Sequence, residues 1–192
     1  DLVFFTSQEW VNDKKNCLKT IDQNLKSNLF IVRSSSLNED TLYSSKAGSN
    51  LSIQNVLKKE LKTSIDKVFE SYRKLNYDDE VLIQPMLRNV FTSGVAFSHD
   101  PNTGSPDRII SWSEGSDTQL VTAGQAGNIW QITAGCKNTI KEELLRPVYD
   151  LIEELLSIFK EEPIDCEFAV VNENKVRTLW LLQVRPLVLA KS

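Results

Sequence analysis

The sequence predicts an α+β fold in which antiparallel strands are flanked by helices, and three observations carry that prediction. Residues 164–186 read as a period-two hairpin, apolar residues recur at helical spacing in three other stretches, and all seven glycines fall between Gly48 and Gly135, where short strands and tight turns concentrate. With 192 residues the chain is long enough for a full hydrophobic core and fits one domain, 1–192, with room for two lobes.

Bulk properties narrow the function. Hydrophobic residues make up 41% and charged residues 25%, with a formal charge of -4, so there is no basic excess to attract nucleic acid. No apolar run approaches the roughly 20 residues that span a bilayer, and no charged-then-apolar leader opens the chain, so the expectation is a cytoplasmic protein without a membrane partner. The chain begins at Asp1 and its only methionine is Met86, which reads as a fragment of a longer protein. Cys17, Cys136 and Cys166 are odd in number and widely spaced, so neither a disulfide framework nor a zinc site follows. His99 is the only histidine, which argues against metal sites or catalytic triads built on that residue.

Taken in order, 1–5 is a short strand. Thr6 with Glu9 forms a capping box, and Trp10, Cys17, Leu18, Ile21 and Leu25 predict a helix over 7–25, with Lys14, Lys15 and Lys19 on its wet face. Leu29 to Val32 is an apolar strand that delivers Arg33 at its end, before a hydroxyl-rich loop through Asn50. An arginine so placed can grip a phosphate with bidentate geometry, helped by serine hydroxyls and backbone N–H groups. Val56, Leu57, Leu61, Ile65, Val68 and Phe69 predict a helix over 53–72. Glu80 to Leu87 is a largely apolar strand, and its Gln84 either neighbours an adenine or simply caps a buried strand. The runs 108–112, 119–122 and 128–133 are short strands. Thr139 with Glu142 is a second capping box, ahead of an apolar-striped helix over 144–159 that Pro147 is expected to interrupt.

The hairpin carries the densest chemistry. Ile164 to Val171 alternates acidic with apolar residues, so Asp165 and Glu167 share a face, while the run from Thr178 puts Gln183 and Arg185 on one face of its partner. One antiparallel register sets Glu167 opposite Gln183 and Asp165 opposite Arg185, leaving a tight loop around Asn174 to Val176. It also sends Cys166, Phe168, Leu182 and Val184 to the other face. Two carboxylates, an amide oxygen and a guanidinium together make a site for a magnesium ion holding a polyphosphate, with the arginine on a phosphate oxygen. The alternative from pattern alone is a solvated sheet face with one cross-strand ion pair.

Five segments in order then resemble one family. Val32 to Ser36 with Glu39-Asp40, Ala47-Gly48 and Asn55-Val56, then Val81 to Met86, Ser93 to Phe97, Asp100 to Gly104, and the hairpin itself are similar to the ATP-binding domain of phosphoenolpyruvate synthase and pyruvate phosphate dikinase. The likeness runs over residues 31–186 and leaves 1–28 uncovered. It implies an ATP-grasp-like fold, two lobes of mixed or antiparallel sheet with flanking helices, here expected to lack part of its N-terminal end.

The resemblance also assigns roles. It makes Arg33 a phosphate contact, Gly48 and Ser52 part of a loop over the phosphates, and Gln84 a neighbour of the adenine. Glu167 and Gln183 become magnesium ligands supported by Asp165, with Arg185 on a phosphate, so Arg33 and Arg185 are the expected catalytic arginines and ATP with Mg2+ the expected cofactors. The implied activity moves phosphate from ATP to a histidine on another domain, with phosphohistidine and phosphoenolpyruvate- or pyruvate-binding domains elsewhere in the parent protein. Lys46 stands where an aromatic residue is usual, Ser52 where threonine is common, and the family's Gly-Gly-Lys loop does not occur in the sequence. That last departure motivates a second expectation, a nucleotide-binding module without chemistry.

Overall fold

The computed structural model describes residues 1–35, 40–41, 44–45, 51–72, 74–115, 127–136, 143, 145–173 and 176–189. These form two compact units, one from elements up to Met86 and the other chiefly from Leu87 onward.

The first unit is a four-stranded antiparallel sheet backed by helices. Its strands are β1 (Val3–Thr6), β2 (Leu29–Ser35), β5 (Ser52–Leu57) and β6 (Glu80–Pro85), in the order β1-β6-β2-β5; two short strands, β3 (Asp40–Thr41) and β4 (Ser44–Ser45), intervene in sequence. Val3, Val32 and Ile83 are cross-strand neighbours that alternate inward, and all are buried. The expected helix over 7–25 is two helices, α1 (Ser7–Asn12) and α2 (Lys14–Asn24). Thr6 caps the first: its hydroxyl accepts from the Glu9 N–H at 3.2 Å, and the Glu9 carboxylate accepts from the Thr6 N–H at 2.9 Å. Asp13 breaks the run because its side chain accepts from the Asn16 N–H at 3.0 Å, capping α2, and that requires a non-helical backbone at Asp13.

The expected helix over 53–72 is the larger correction. Residues 53–57 belong to β5, and only α3 (Leu61–Glu70), entered through a 3-10 turn at Lys58–Glu60, is helical. Phe30 pairs with Val56 but Val32 with Ile53, so Gln54 and Asn55 together oppose the single residue Ile31. Asn55 takes a left-handed φ of 57°, and the bulge turns residues three apart onto one strand face. That imitates helical spacing. Leu57, which the stripe would bury, is exposed, whereas Leu61, Ile65, Val68 and Phe69 are buried as expected.

The second unit is a five-stranded antiparallel sheet of β7 (Val90–Phe97), β8 (Arg108–Glu114), β9 (Asn128–Ile132), β10 (Ile164–Glu173) and β11 (Val176–Pro186), ordered β11-β10-β7-β8-β9. Helix α4 (Leu145–Ile158) lays Val148, Tyr149, Ile152, Leu155 and Leu156 over Ala96, Ile110, Cys166 and Phe168. Pro147 does not split α4, because it lies in the first turn, where a missing N–H costs nothing. The strand expected at 119–122 and the capping box at Thr139 lie outside the described residues.

Two expectations follow. A Cβ on Gly94 would stand 2.3 Å from the Ser111 carbonyl oxygen and 2.8 Å from the Phe168 ring. Gly94→Ala should therefore lower stability by about 1–3 kcal/mol in urea unfolding. In the first unit, Asp66 Oδ1 accepts from Trp10 Nε1 and Lys14 Nζ, both at 2.7 Å. Burial pushes its carboxyl up, but these bonds and the Lys14 charge outweigh burial and hold it below 3.8. The group's stabilisation is thus present above that pH and lost as pH falls through the depressed folded value. Asp66→Asn should flatten this part of the acid-unfolding curve followed by circular dichroism.

Candidate functional site

Strand β10 lies inside its sheet, with β11 on one side and β7 on the other. The observed register pairs Asp165 with Arg185 and Glu167 with Gln183, as the alternation predicts. On the β7 side the same two acids oppose Phe97 and Val95. All four polar residues therefore share a face in two adjacent cross-strand rows. On the opposite face Cys166 and Phe168 are buried and Val184 packs against the α4 core. Burial, with the Asp165 charge added, pushes the Cys166 thiol up to about 12, so it is an inert core group.

The pair at the centre is a forked one. Arg185 Nε donates to Asp165 Oδ1 at 2.9 Å and Arg185 Nη2 to Asp165 Oδ2 at 3.4 Å. The side chains are only 13% and 11% exposed, so this is a buried pair and not a solvated one. Asp165 thus holds the guanidinium in a set plane, one row from the Glu167 carboxylate.

One detail departs from the expected pattern. Glu167 pairs with Gln183 but Phe168 pairs with Leu181, so Leu182 is an extra residue in a bulge and is only half-buried, not packed beneath the sheet opposite Phe168. Bulges commonly sit beside functional groups and re-aim them. Two consecutive leucines hide this one from any reading of periodicity.

In the first unit Arg33 lies two residues before the end of β2, opposite Ser52 on one side and Leu82 on the other. Phe4 pairs with Leu82, so Phe4, Leu82, Arg33 and Ser52 make a row on the face away from the core. Gln84 opposes Ile31 on that same face, one row along. Gly48 lies outside the described residues. The expected site residues therefore fall into two sets: Arg33, Ser52 and Gln84 in one unit, and Asp165, Glu167, Gln183 and Arg185 in the other. A residue missed in the sequence is Tyr72, which there only marks the end of the helix expected over 53–72; its hydroxyl bonds both Ser35 and Glu80.

Among the described residues no group of three or more His, Cys, Asp or Glu could hold a metal ion alone. Glu167 and Gln183 nevertheless supply two hard oxygen donors from one cross-strand pair. That suits magnesium, which is usually held by one or two protein oxygens together with phosphates and water.

Residues 6–129 match the family model described as pyruvate phosphate dikinase, AMP/ATP-binding domain. The match ends before β10. No curated protein matches the sequence significantly. Among solved structures, D-alanine-D-alanine ligase from Helicobacter pylori is similar at 19% identity and a TM-score of 0.51, over 97% of this chain and 45% of that one. ATP citrate lyase from Methanothrix soehngenii is similar at 14% identity and a TM-score of 0.54, over 97% and 44%. The dinucleotide-forming acetyl-coenzyme A synthetase 1 of Ca. Korarchaeum cryptofilum is similar at 7% identity and a TM-score of 0.57, over 97% and 85%. The shared fold is ATP-grasp. The chain spans less than half the length of the first two structures.

Removing one partner of the buried pair should be costly. Asp165→Asn or Arg185→Met alone should each destabilise by about 3 kcal/mol, and the double variant by clearly less than the sum. Equilibrium denaturation of the four proteins measures that coupling; additive losses would mean the pair contributes nothing jointly.

Proposed function

The chain belongs to the pyruvate phosphate dikinase AMP/ATP-binding domain family, and from that premise we propose that it binds magnesium-ATP and passes a phosphoryl group to a histidine on another domain of its parent protein. The observation that carries the reading is the pair of adjacent rows on β10 and β11, Glu167 with Gln183 and Asp165 with Arg185. Phosphoryl transfer needs little covalent help from a protein. It needs the phosphates positioned and their charge neutralised.

Each residue has a part in that work. Glu167 and Gln183 offer oxygen donors to the ion, which when bound would neutralise phosphate charge. Arg185, held by Asp165, directs its guanidinium at a phosphate oxygen, and Asp165 supports the metal ligands by fixing that neighbour. In the first unit Arg33 contacts the polyphosphate beside Ser52, which is its cross-strand partner at the start of β5 and not part of the loop the resemblance implied, Gly48 is a further phosphate contact, and Gln84 neighbours the adenine. The low exposure of Arg185 and Asp165 strengthens their charge-assisted contact, because the local dielectric is lower than in water. The histidine-bearing domain and the domain for pyruvate or phosphoenolpyruvate belong to the parent protein in this reading, and a cytoplasmic setting suits an ATP-dependent reaction.

Titration calorimetry tests this directly. ATP should bind with magnesium and bind much more weakly without it, and Glu167→Ala should erase most of that difference. Arg33→Met should weaken ATP binding by about tenfold or more while leaving adenosine binding nearly unchanged, since a hydrogen bond to a charged group contributes about 1.5–3 kcal/mol. Affinity indifferent to magnesium would remove the metal site from the proposal, and equal losses for ATP and adenosine would make Arg33 a fold residue.

A further inference from the structure

The hydroxyl of Tyr72 lies where β2 leaves its sheet. It accepts the Ser35 N–H at 2.9 Å and donates to the Glu80 carbonyl at 2.5 Å. Ser35, the last residue of β2, pairs with Glu80, the first of β6, so the phenol bridges the two strands at the end of their ladder. Its ring is nearly buried and stacks on Phe69 at 6.2 Å between centroids, which ties the bridge to α3. Filling that space needs only a ring. The hydroxyl adds a partner for two backbone groups that would otherwise be desolvated at the edge of the core.

We propose that Tyr72 is a positioning residue for the phosphate end of the nucleotide site. Arg33 is two residues before Ser35, and the serine-rich segment follows directly after it. By holding Ser35 to Glu80, Tyr72 sets where the sheet ends. That defines the backbone from which Arg33 projects. Placement matters because an error of about 1 Å in a positioning group can cost two orders of magnitude in a reaction. The proposal rests on the reading of Arg33 as a phosphate contact.

Tyr72→Phe keeps the ring and removes only the hydroxyl. Magnesium-ATP affinity should fall about fivefold to tenfold, the effect of one lost hydrogen-bonding group, while adenosine affinity changes by less than about twofold. Amide exchange should accelerate at Ser35 while Val81 and Ile83 in the same sheet keep their protection. Unchanged ATP affinity, or equal losses for ATP and adenosine, overturns the proposal and leaves the nucleotide site standing. If the unsubstituted protein shows no magnesium-dependent ATP binding, the functional reading falls and this proposal with it. Should the variant not fold, the unsubstituted protein decides alone. Coupling between two sites is reciprocal, so saturating magnesium-ATP must slow Ser35 amide exchange by a similar factor, and no slowing overturns the proposal.

Discussion

A carboxylate and a guanidinium buried side by side on β10 and β11 constrain everything around them. A slip of one residue of β11 along β10 would turn Arg185 toward the α4 core, where an isolated charge is prohibitive, and lift Val184 out of it. The pair need not add net stability to matter, because desolvation offsets much of its Coulomb attraction. Its effect is selective. It leaves one register standing, and that register sets Glu167 against Gln183.

The same sheet shows how tightly packing supports the polar face. Gly94 pairs with Phe168, and the missing Cβ leaves room for the aromatic ring beneath β7. Arg108, a buried guanidinium of the same sheet, is engaged in a different way. It donates to the Glu153 carboxylate at 2.7 Å and to the carbonyls of Ser98 and Pro106 at 2.7 and 3.0 Å. Those bonds tie β8 to α4 and to the end of β7, so one arginine serves the scaffold and the other sits on the candidate face.

Two bulges do work that an unbroken ladder could not. At Asn55 the bulge returns Val56 to the core after Ile53, closing the first sheet at its edge. At Leu182 the bulge follows immediately on the Glu167 and Gln183 row, so the alternation of β11 is reset just beyond the polar cluster. Both accommodate an extra residue without losing the buried face, because the hydrophobic requirement acts on faces and not on residue number.

Much of this was legible in one dimension. The Thr6 capping box, the α4 stripe and the alternation of 164–171 with 178–185 are local patterns with local causes, so the sequence by itself determined those elements and the hairpin register. The tertiary structure decided the rest. Residues 53–57 carry a spacing that suits a helix, yet pairing with β2 makes them a strand, since the backbone hydrogen bonds of β2 on that side are met only by a neighbouring strand. Asp13 divides one apolar stripe into two helices through a hydrogen bond that hydrophobic spacing does not encode. Tyr72 reads only as the end of an expected helix until Ser35 and Glu80, 37 and 8 residues away in the chain, are brought to its hydroxyl. Periodicity reports which side of an element is apolar, whereas bulges, cap bonds and long-range hydrogen bonds depend on which backbone groups the fold leaves unpaired.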